Sequence, residues 1–395
     1  MKRIRVYMYP CSHAGVALYS YKLANALVEK GVETTTFVDD CYELDTLPAR
    51  FKKAQVLCSK YEGIRLNKSF PWRVGGIIGS HVYNSRKFYG YVKKDAPEVV
   101  HLHSFLFYPL EWTLLLRLKR TPARIVLTVH NVLPYRYYLW PFVGLERTIL
   151  EYVYQCADRL IVHSEANKSQ LLSEFSIERN KVVVIPHGEY SFGQRKNAIT
   201  QDEARRRLGI KANEIVVLFF GYIRRIKGID ILLEAFDKVA ARYPNAVLII
   251  AGSVIEGQSF DEYARRLKSL KHAGRIKCFI KYVPYEDIPL FFVSADIVVA
   301  PYREFSGQSG VALLGAGFGK AMIVSDAGGL PEVVEHGKTG LVVPAGGVDS
   351  LAEAMALLLK DSDLREAMGR QAELKAMEDF SWGKIATETI EKAYL

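Results

Sequence analysis

Between Ala295 and Asp326 the chain reads ADIVVAPYREFSGQSGVALLGAGFGKAMIVSD. A strand-like apolar segment, Ile297–Ala300, leads into a small polar loop of Ser306, Gly307, Gln308, Ser309 and Gly310. An apolar helix-like run opens at Val311. The first turn of a helix carries N–H groups without intrahelical partners and a partial positive charge, so it holds phosphate. Glycine lets the backbone approach an anion closely, and Ser309 is placed to cap the helix or to bond a phosphate oxygen. A second anion candidate is Gly221–Phe236, GYIRRIKGIDILLEAF, where Arg224, Arg225 and Lys227 gather just past another strand candidate. Fork-shaped guanidinium and point-charge ammonium groups both suit phosphate. Ordinary solvated surface charge is the competing reading of these three residues.

The histidines offer different chemistry. His130, in LTVHN, closes an apolar strand candidate, where it could bond a sugar hydroxyl or move a proton; a satisfied structural histidine is the alternative. His101 and His103 share one face of a strand, but no third ligand stands out and no metal site is expected. His187, in IPHG, is expected in a loop at the domain edge. Gly337-Lys338-Thr339 resembles the end of a phosphate-binding P-loop but fails the pattern, because Glu332 stands where its first glycine is needed. Gly15, in PCSHAGVALYSYKLANAL, opens a helix after the first strand candidate.

Positioning these residues requires parallel sheets. Strand candidates Ile4–Tyr9, Thr34–Val38, Val99–Leu102, Ile125–Val129, Leu160–His163 and Val182–Ile185 alternate with helical patterns such as Val16–Lys30 and Leu145–Ala157. Residues 40–95 are irregular, basic and aromatic, and read as an insertion with helices. After a polar linker, Gly188–Thr200, the alternation restarts with Ile215–Phe220, Ala246–Ala251, Ile276–Ile280, Ile297–Ala300, Met322–Val324 and Leu341–Val343. The expected fold is α/β: two Rossmann-like, doubly wound domains facing a central cleft, with ligands beyond the carboxyl ends of the strands. The expected boundaries are 1–190 and 191–379, with a tail helix over 380–395 capped by Ser381.

The 395 residues suit two cores. No apolar run approaches the roughly 20 residues of a membrane span. The start, MKRIRVYMYP, is not patterned as a signal peptide. Five scattered cysteines, Cys11, Cys41, Cys58, Cys156 and Cys278, argue against a disulfide framework and for a cytoplasmic protein. The net charge of +10 is lopsided: residues 1–190 hold 26 Lys and Arg against 17 Asp and Glu, with three of the four tryptophans and 16 of the 23 tyrosines. A basic, aromatic half suits anionic membrane headgroups, at the inner face of a membrane, or a phosphorylated acceptor; a plain solvated face is the alternative. No nucleic-acid motif is present, and nucleic acid is not expected as a partner.

Taken in order, the opening glycine loop with Gly15, TVHN, VHSEANKSQLL, VIPHG, FFGYIRRIKGIDILLEAF, ADIVVAPY, GGLPEVVEHGKTGLVVP and the FSW tail resemble the retaining glycosyltransferases of family 4, which have the GT-B fold. The resemblance spans nearly the whole chain. It implies transfer of a sugar, with retention, from a nucleoside diphosphate donor to a carbohydrate or lipid-linked acceptor, as in surface polysaccharide or glycolipid assembly, with no metal or other cofactor. It assigns the diphosphate to Arg224 and Lys227, with the helix start at Gln308, Ser309, Gly310 and Val311. It assigns a backbone contact to Gly15, the donor sugar to His130 and the base to Tyr282 and Val283. It also implies that the tail crosses back to the first domain. One departure stands out: Gly307 and Gly315 occupy the places of two glutamates usual in the family. Glu304 and Glu332 are the carboxylates that could compensate. A non-catalytic subunit with a degenerate donor site is the alternative function.

Overall fold

The computed structural model describes residues 4–9, 14–58, 70–103, 108–133, 142–190, 199–254, 259–305 and 307–395. Cys11, Ser306 and most of the linker lie outside them. The chain divides into two compact units, Met1–Gly188 with Trp382–Leu395, and Glu189–Ser381.

The sheet of the first unit contains β1 (Arg5–Tyr9), β2 (Glu33–Asp39), β3 (Lys52–Leu57), β4 (Val99–His103), β5 (Arg124–Thr128), β6 (Arg159–Val162) and β7 (Val182–Val184). Their order is β3-β2-β1-β4-β5-β6-β7, and all pairs are parallel. Helices α1 (Ala14–Glu29), α2 (Phe70–Asp95), α3 (Tyr108–Leu118), α4 (Val143–Cys156) and α5 (Glu165–Glu174) connect them. Strands β4 and β5 are buried almost throughout, as expected when helices cover both faces. The stretch 40–95 differs from its expected form, since it contributes an edge strand as well as the long α2. In β3, KKAQVL, only Leu57 is buried; lysines on an open edge discourage pairing with other chains and dilute the apolar signal.

The second unit holds β8 (Ile215–Phe220), β9 (Ala246–Ala251), β10 (Ile276–Phe279), β11 (Ile297–Ala300), β12 (Ala321–Ser325) and β13 (Gly340–Val343). Its order, β10-β9-β8-β11-β12-β13, is also wholly parallel. Its helices are α6 (Gln201–Arg207), α7 (Ile229–Ala240), α8 (Asp261–Ser269), α9 (Ile288–Ser294), α10 (Gly310–Gly317), α11 (Leu330–Val333), α12 (Val348–Lys360) and α13 (Ser362–Asp379). In α7 the buried Ile229, Leu232, Leu233, Phe236 and Ala240 recur at helical spacing and form one stripe.

The tail α14 (Trp382–Thr389) belongs to the first unit, and its last turn, Ile390–Tyr394, is π-helical. Its first residue, Trp382, directly follows Ser381. Trp382 explains two sequence features at once. Its indole lies against Gly188, where any Cβ would overlap the ring, and beside Tyr19 at 5.4 Å between centroids. The glycine of IPHG and the tryptophan of FSW are therefore one packing unit. No helix among the described residues is long and apolar enough to cross a membrane. Gly188→Ala should destabilise the first unit by roughly 1–3 kcal/mol through overpacking. A urea midpoint equal to that of the unsubstituted chain would remove Trp382 from this seat.

Candidate active site

In a parallel sheet every loop that follows a strand emerges at the same end, and ligands gather where the strand order reverses. In the second unit that point lies between β8 and β11. Both anion candidates flank it, the loop after β8 with Arg224 and Lys227, and the loop after β11 that leads into α10. Val311, at the start of α10, packs beside Gly221, at the end of β8. Gly228 closes the first loop in the left-handed region, at φ +67°, and joins the short 3₁₀ turn Arg225–Lys227 to α7. A side chain there would strain the backbone and overlap the carbonyl of Pro301.

Lys227 lies over two aromatic faces, its Nζ 3.4 Å from the ring centroid of Tyr302 and 4.3 Å from that of Phe305. No carboxylate pairs with it among the described residues. Burial, followed by the neighbouring Arg224 charge, pushes its ammonium well below the usual lysine range. Ser309 caps α10, its Oγ accepting from the Ala312 N–H at 3.4 Å, and it lies 3.2 Å from the Tyr302 hydroxyl. Gln308 is buried beside it. Tyr282 and Val283 follow β10, two strands from β8, with Tyr282 half exposed. Glu304 and Glu332 are exposed, on the loop after β11 and in α11.

Gly315 has a packing reason to be glycine. It is buried on the sheet side of α10, and a Cβ would lie 2.8 Å from Met322 Sδ and 3.5 Å from Val298 Cβ. A glutamate there would drive its carboxylate into the helix–sheet interface.

The first unit concentrates histidines. Gly15 is exposed in the first turn of α1. His130, just past β5, is one of five histidines at the carboxyl ends of four adjacent strands: His101 and His103 on β4, His130 after β5, His163 after β6 and His187 after β7. The ring of Tyr19, on α1, touches those of His103, His130, His163 and His187 at centroid distances of 4.7–5.6 Å. His187, expected in a domain-edge loop, is 5% exposed and part of this cluster. The signal in the sequence is that four successive strand candidates each have a histidine at their last residue or within two residues after it: His103, His130, His163 and His187.

The hydrogen bonds settle the protons. The His163 Nδ1 lies 3.0 Å from the Ile185 carbonyl, which can only accept, so Nδ1 carries the hydrogen. Burial pushes His163 down to about 4, so it is neutral near pH 7 and its Nε2 is a bare acceptor. His130 Nδ1, 3.1 Å away, therefore donates to it. This leaves His130 Nε2 without a hydrogen, and it finds no partner among the described residues. His101 bonds the Tyr394 hydroxyl at 2.7 Å and Thr128 Oγ1 at 2.8 Å, which ties the tail to β4 and β5. Among the described residues no group of histidine, cysteine or carboxylate side chains is arranged to hold a metal ion. A concavity of about 540 Å³ lies at the opposite, amino-terminal ends of β5 and β6, beside Lys119, Arg124 and Asp158.

Two wholly parallel α/β units of this kind make the architecture of GT-B glycosyltransferases. Residues 13–188 match the family described as Glycosyltransferase Family 4, and residues 200–375 match Glycosyl transferases group 1. The chain belongs to glycosyltransferase family 4. It is 26% identical over 393 residues to a D-inositol 3-phosphate glycosyltransferase of Corynebacterium aurimucosum, covering 95% of this chain and 89% of that protein. The structure of a glycosyltransferase from Rickettsia africae superposes with a TM-score of 0.77 at 18% identity, over 99% of this chain and 98% of that one. Anabaena HepE, in complex with UDP-glucose, gives 0.71 at 16%, over 98% of each. These two structures share the fold.

Burial also lowers His101 and His187, each to about 3, and His103 and His130 well below the usual range, with neighbouring histidine charges adding to the effect. The unfolded chain binds these protons below about pH 6.5, whereas the folded one does not. Stability is therefore complete above that pH and is lost as pH falls toward 4, with each histidine contributing up to about 1.4 kcal/mol per pH unit. The urea midpoint of the first unit should fall steeply between pH 7 and pH 5, above the range where most carboxylates titrate. A flat midpoint across that window would contradict the neutral cluster.

Proposed function

We propose that the chain transfers a sugar from a nucleoside diphosphate donor, with retention of configuration, to a carbohydrate or lipid-phosphate-linked acceptor in surface polysaccharide or glycolipid assembly. The observation that carries this is the pairing of Lys227, which has no carboxylate partner among the described residues, with the capped start of α10 across the switch point of the second sheet. Arg224 and Lys227 hold the diphosphate. The helix start at Gln308, Ser309, Gly310 and Val311 takes its second side, and Tyr282 and Val283 hold the base. As the glycosidic bond to the donor breaks, negative charge grows on the departing diphosphate, and fixed cations and N–H dipoles stabilise it more in the transition state than before. His130, with a bare Nε2, suits acceptance of a hydrogen bond from a sugar hydroxyl, and Gly15 offers a backbone N–H. The complex of Anabaena HepE with UDP-glucose supports a nucleotide-sugar donor. The name of the Corynebacterium relative supports a phosphorylated acceptor.

The alternative, a non-catalytic subunit, drew on Gly315. Packing against Met322 gives that glycine a steric reason of its own.

A thermal-shift panel of UDP, GDP, ADP and dTDP with their common sugars tests the reading, because a ligand that binds only the native state raises its melting point. One nucleotide should raise it clearly, and Arg224→Ala or Lys227→Ala should lower turnover by about 10²–10³-fold. No shift with any nucleotide, in a folded sample, would favour the non-catalytic subunit.

The membrane reading rests on neighbouring helices of the first unit. Ile78, Val82 and Tyr83 on α2 and Trp112 and Leu116 on α3 are exposed, and the same two helices carry Arg86, Lys87, Lys93, Lys94 and Arg117. Apolar side chains among basic ones suit peripheral contact with an anionic leaflet, at the cytoplasmic face. The protein should sediment with vesicles containing anionic lipid and release with salt; equal sedimentation with neutral vesicles would remove the electrostatic part.

A further inference from the structure

Tyr302 touches both anion loops of the second unit. It follows β11 and is 1% exposed. Its ring face carries Lys227, with Nζ 3.4 Å from the centroid, and its hydroxyl lies 3.2 Å from the Oγ of Ser309, which caps α10. Its backbone is fixed from the next strand, because Ser325 Oγ on β12 donates to the Tyr302 carbonyl at 2.6 Å. One side chain, locked from behind, therefore sets the spacing between the ammonium and the helix start.

The chemistry of the contact matters as much as its geometry. An aromatic face attracts an ammonium through its quadrupole but offers no lone pair. Lysine keeps three N–H donors, and a ring below it uses none of them as a conventional hydrogen bond. The cation is thus held in place with its hydrogen-bonding capacity directed elsewhere. Phe305 adds a second face at 4.3 Å and narrows the positions that Nζ can take.

We propose that Tyr302 is a positioning residue that joins the two anion loops, seating Lys227 on its ring and holding Ser309 with its hydroxyl, so that a nucleoside diphosphate meets a preassembled pair. The proposal rests on the reading of these loops as the donor diphosphate site. It assigns separate tasks to the two parts of one side chain: the ring acts through Lys227 and the hydroxyl acts through Ser309.

Double-mutant cycles separate the tasks. Affinity for whichever of UDP, GDP, ADP and dTDP binds is measured by calorimetry on the full chain. The variants are Tyr302→Phe, Tyr302→Leu, Lys227→Ala, Ser309→Ala and the pairs Tyr302→Leu with Lys227→Ala and Tyr302→Phe with Ser309→Ala. Tyr302→Leu should weaken binding about tenfold, and Tyr302→Phe should recover most of that loss, because a ring face is worth more here than one hydrogen bond. In each pair the second substitution should add less than about twofold. Losses that multiply in both pairs would overturn the proposal, as would equal losses for Tyr302→Phe and Tyr302→Leu. If Tyr302→Leu does not fold, the pair of Tyr302→Phe and Ser309→Ala decides: coupling supports the proposal and independence overturns it. Absence of binding by the unsubstituted chain overturns the donor-site reading, and this proposal with it. Binding with independent losses overturns this proposal alone.

Discussion

The strands of each sheet all run in one direction, and the rest of the structure depends on that. It sends every loop that follows a strand to one end of its sheet and leaves the opposite end to the returns from the helices. Residues more than 80 positions apart in sequence then share one rim. In the second unit this rim holds Lys227 and Ser309, and in the first it holds five histidines. Burial of the central strands on both faces makes the arrangement rigid. Val216–Phe220, Ala246–Ala251 and Ile297–Ala300 present scarcely any surface to water. Each large apolar side chain so buried is worth about 1.5–3 kcal/mol, so the scaffold can hold charged and unpaired groups at its edge.

The histidine cluster is the clearest example of such a group of polar side chains. Five imidazoles packed together cannot all be charged, since each proton would be buried beside others of like sign. Neutrality in turn gives every ring one donor and one acceptor nitrogen, and the surrounding carbonyls and hydroxyls decide which is which. The Ile185 carbonyl fixes His163, and His163 fixes His130. A backbone atom at the end of β7 thereby determines which nitrogen of His130 keeps its lone pair. The same cluster binds the C-terminal segment, through Tyr394 on His101 and Trp382 on Tyr19 and His187.

Much of this was legible in the sequence where one physical signal dominated. Apolar runs bounded by glycine or polar residues placed twelve strands within a residue or two, because strands buried on both faces tolerate little else. Edge strand β3 was not legible, because its lysines and exposed positions lack that signal. The loops at the second switch point were legible as two anion candidates. Their connection through Tyr302 was not, because a tyrosine beside a strand end usually reads as core. The histidines were visible one by one, but their meeting depends on the order β4-β5-β6-β7, which strand spacing alone does not encode.

Gly315 shows why a departure from a family pattern needs a physical reading. A position where the family resemblance implies a carboxylate, and the chain has none, can be read as a lost function. Here the helix that carries it, α10, is apolar and buried along its length, and Gly315 lies where that helix meets Met322 and Val298. At 2.8 Å from sulfur, even a methyl group would require Met322 or the helix to shift, and a carboxylate would also enter an apolar interface. At its first turn α10 also lies near the end of β8, where Val311 packs beside Gly221. Glycine at position 315 thus lets α10 approach the sheet closely.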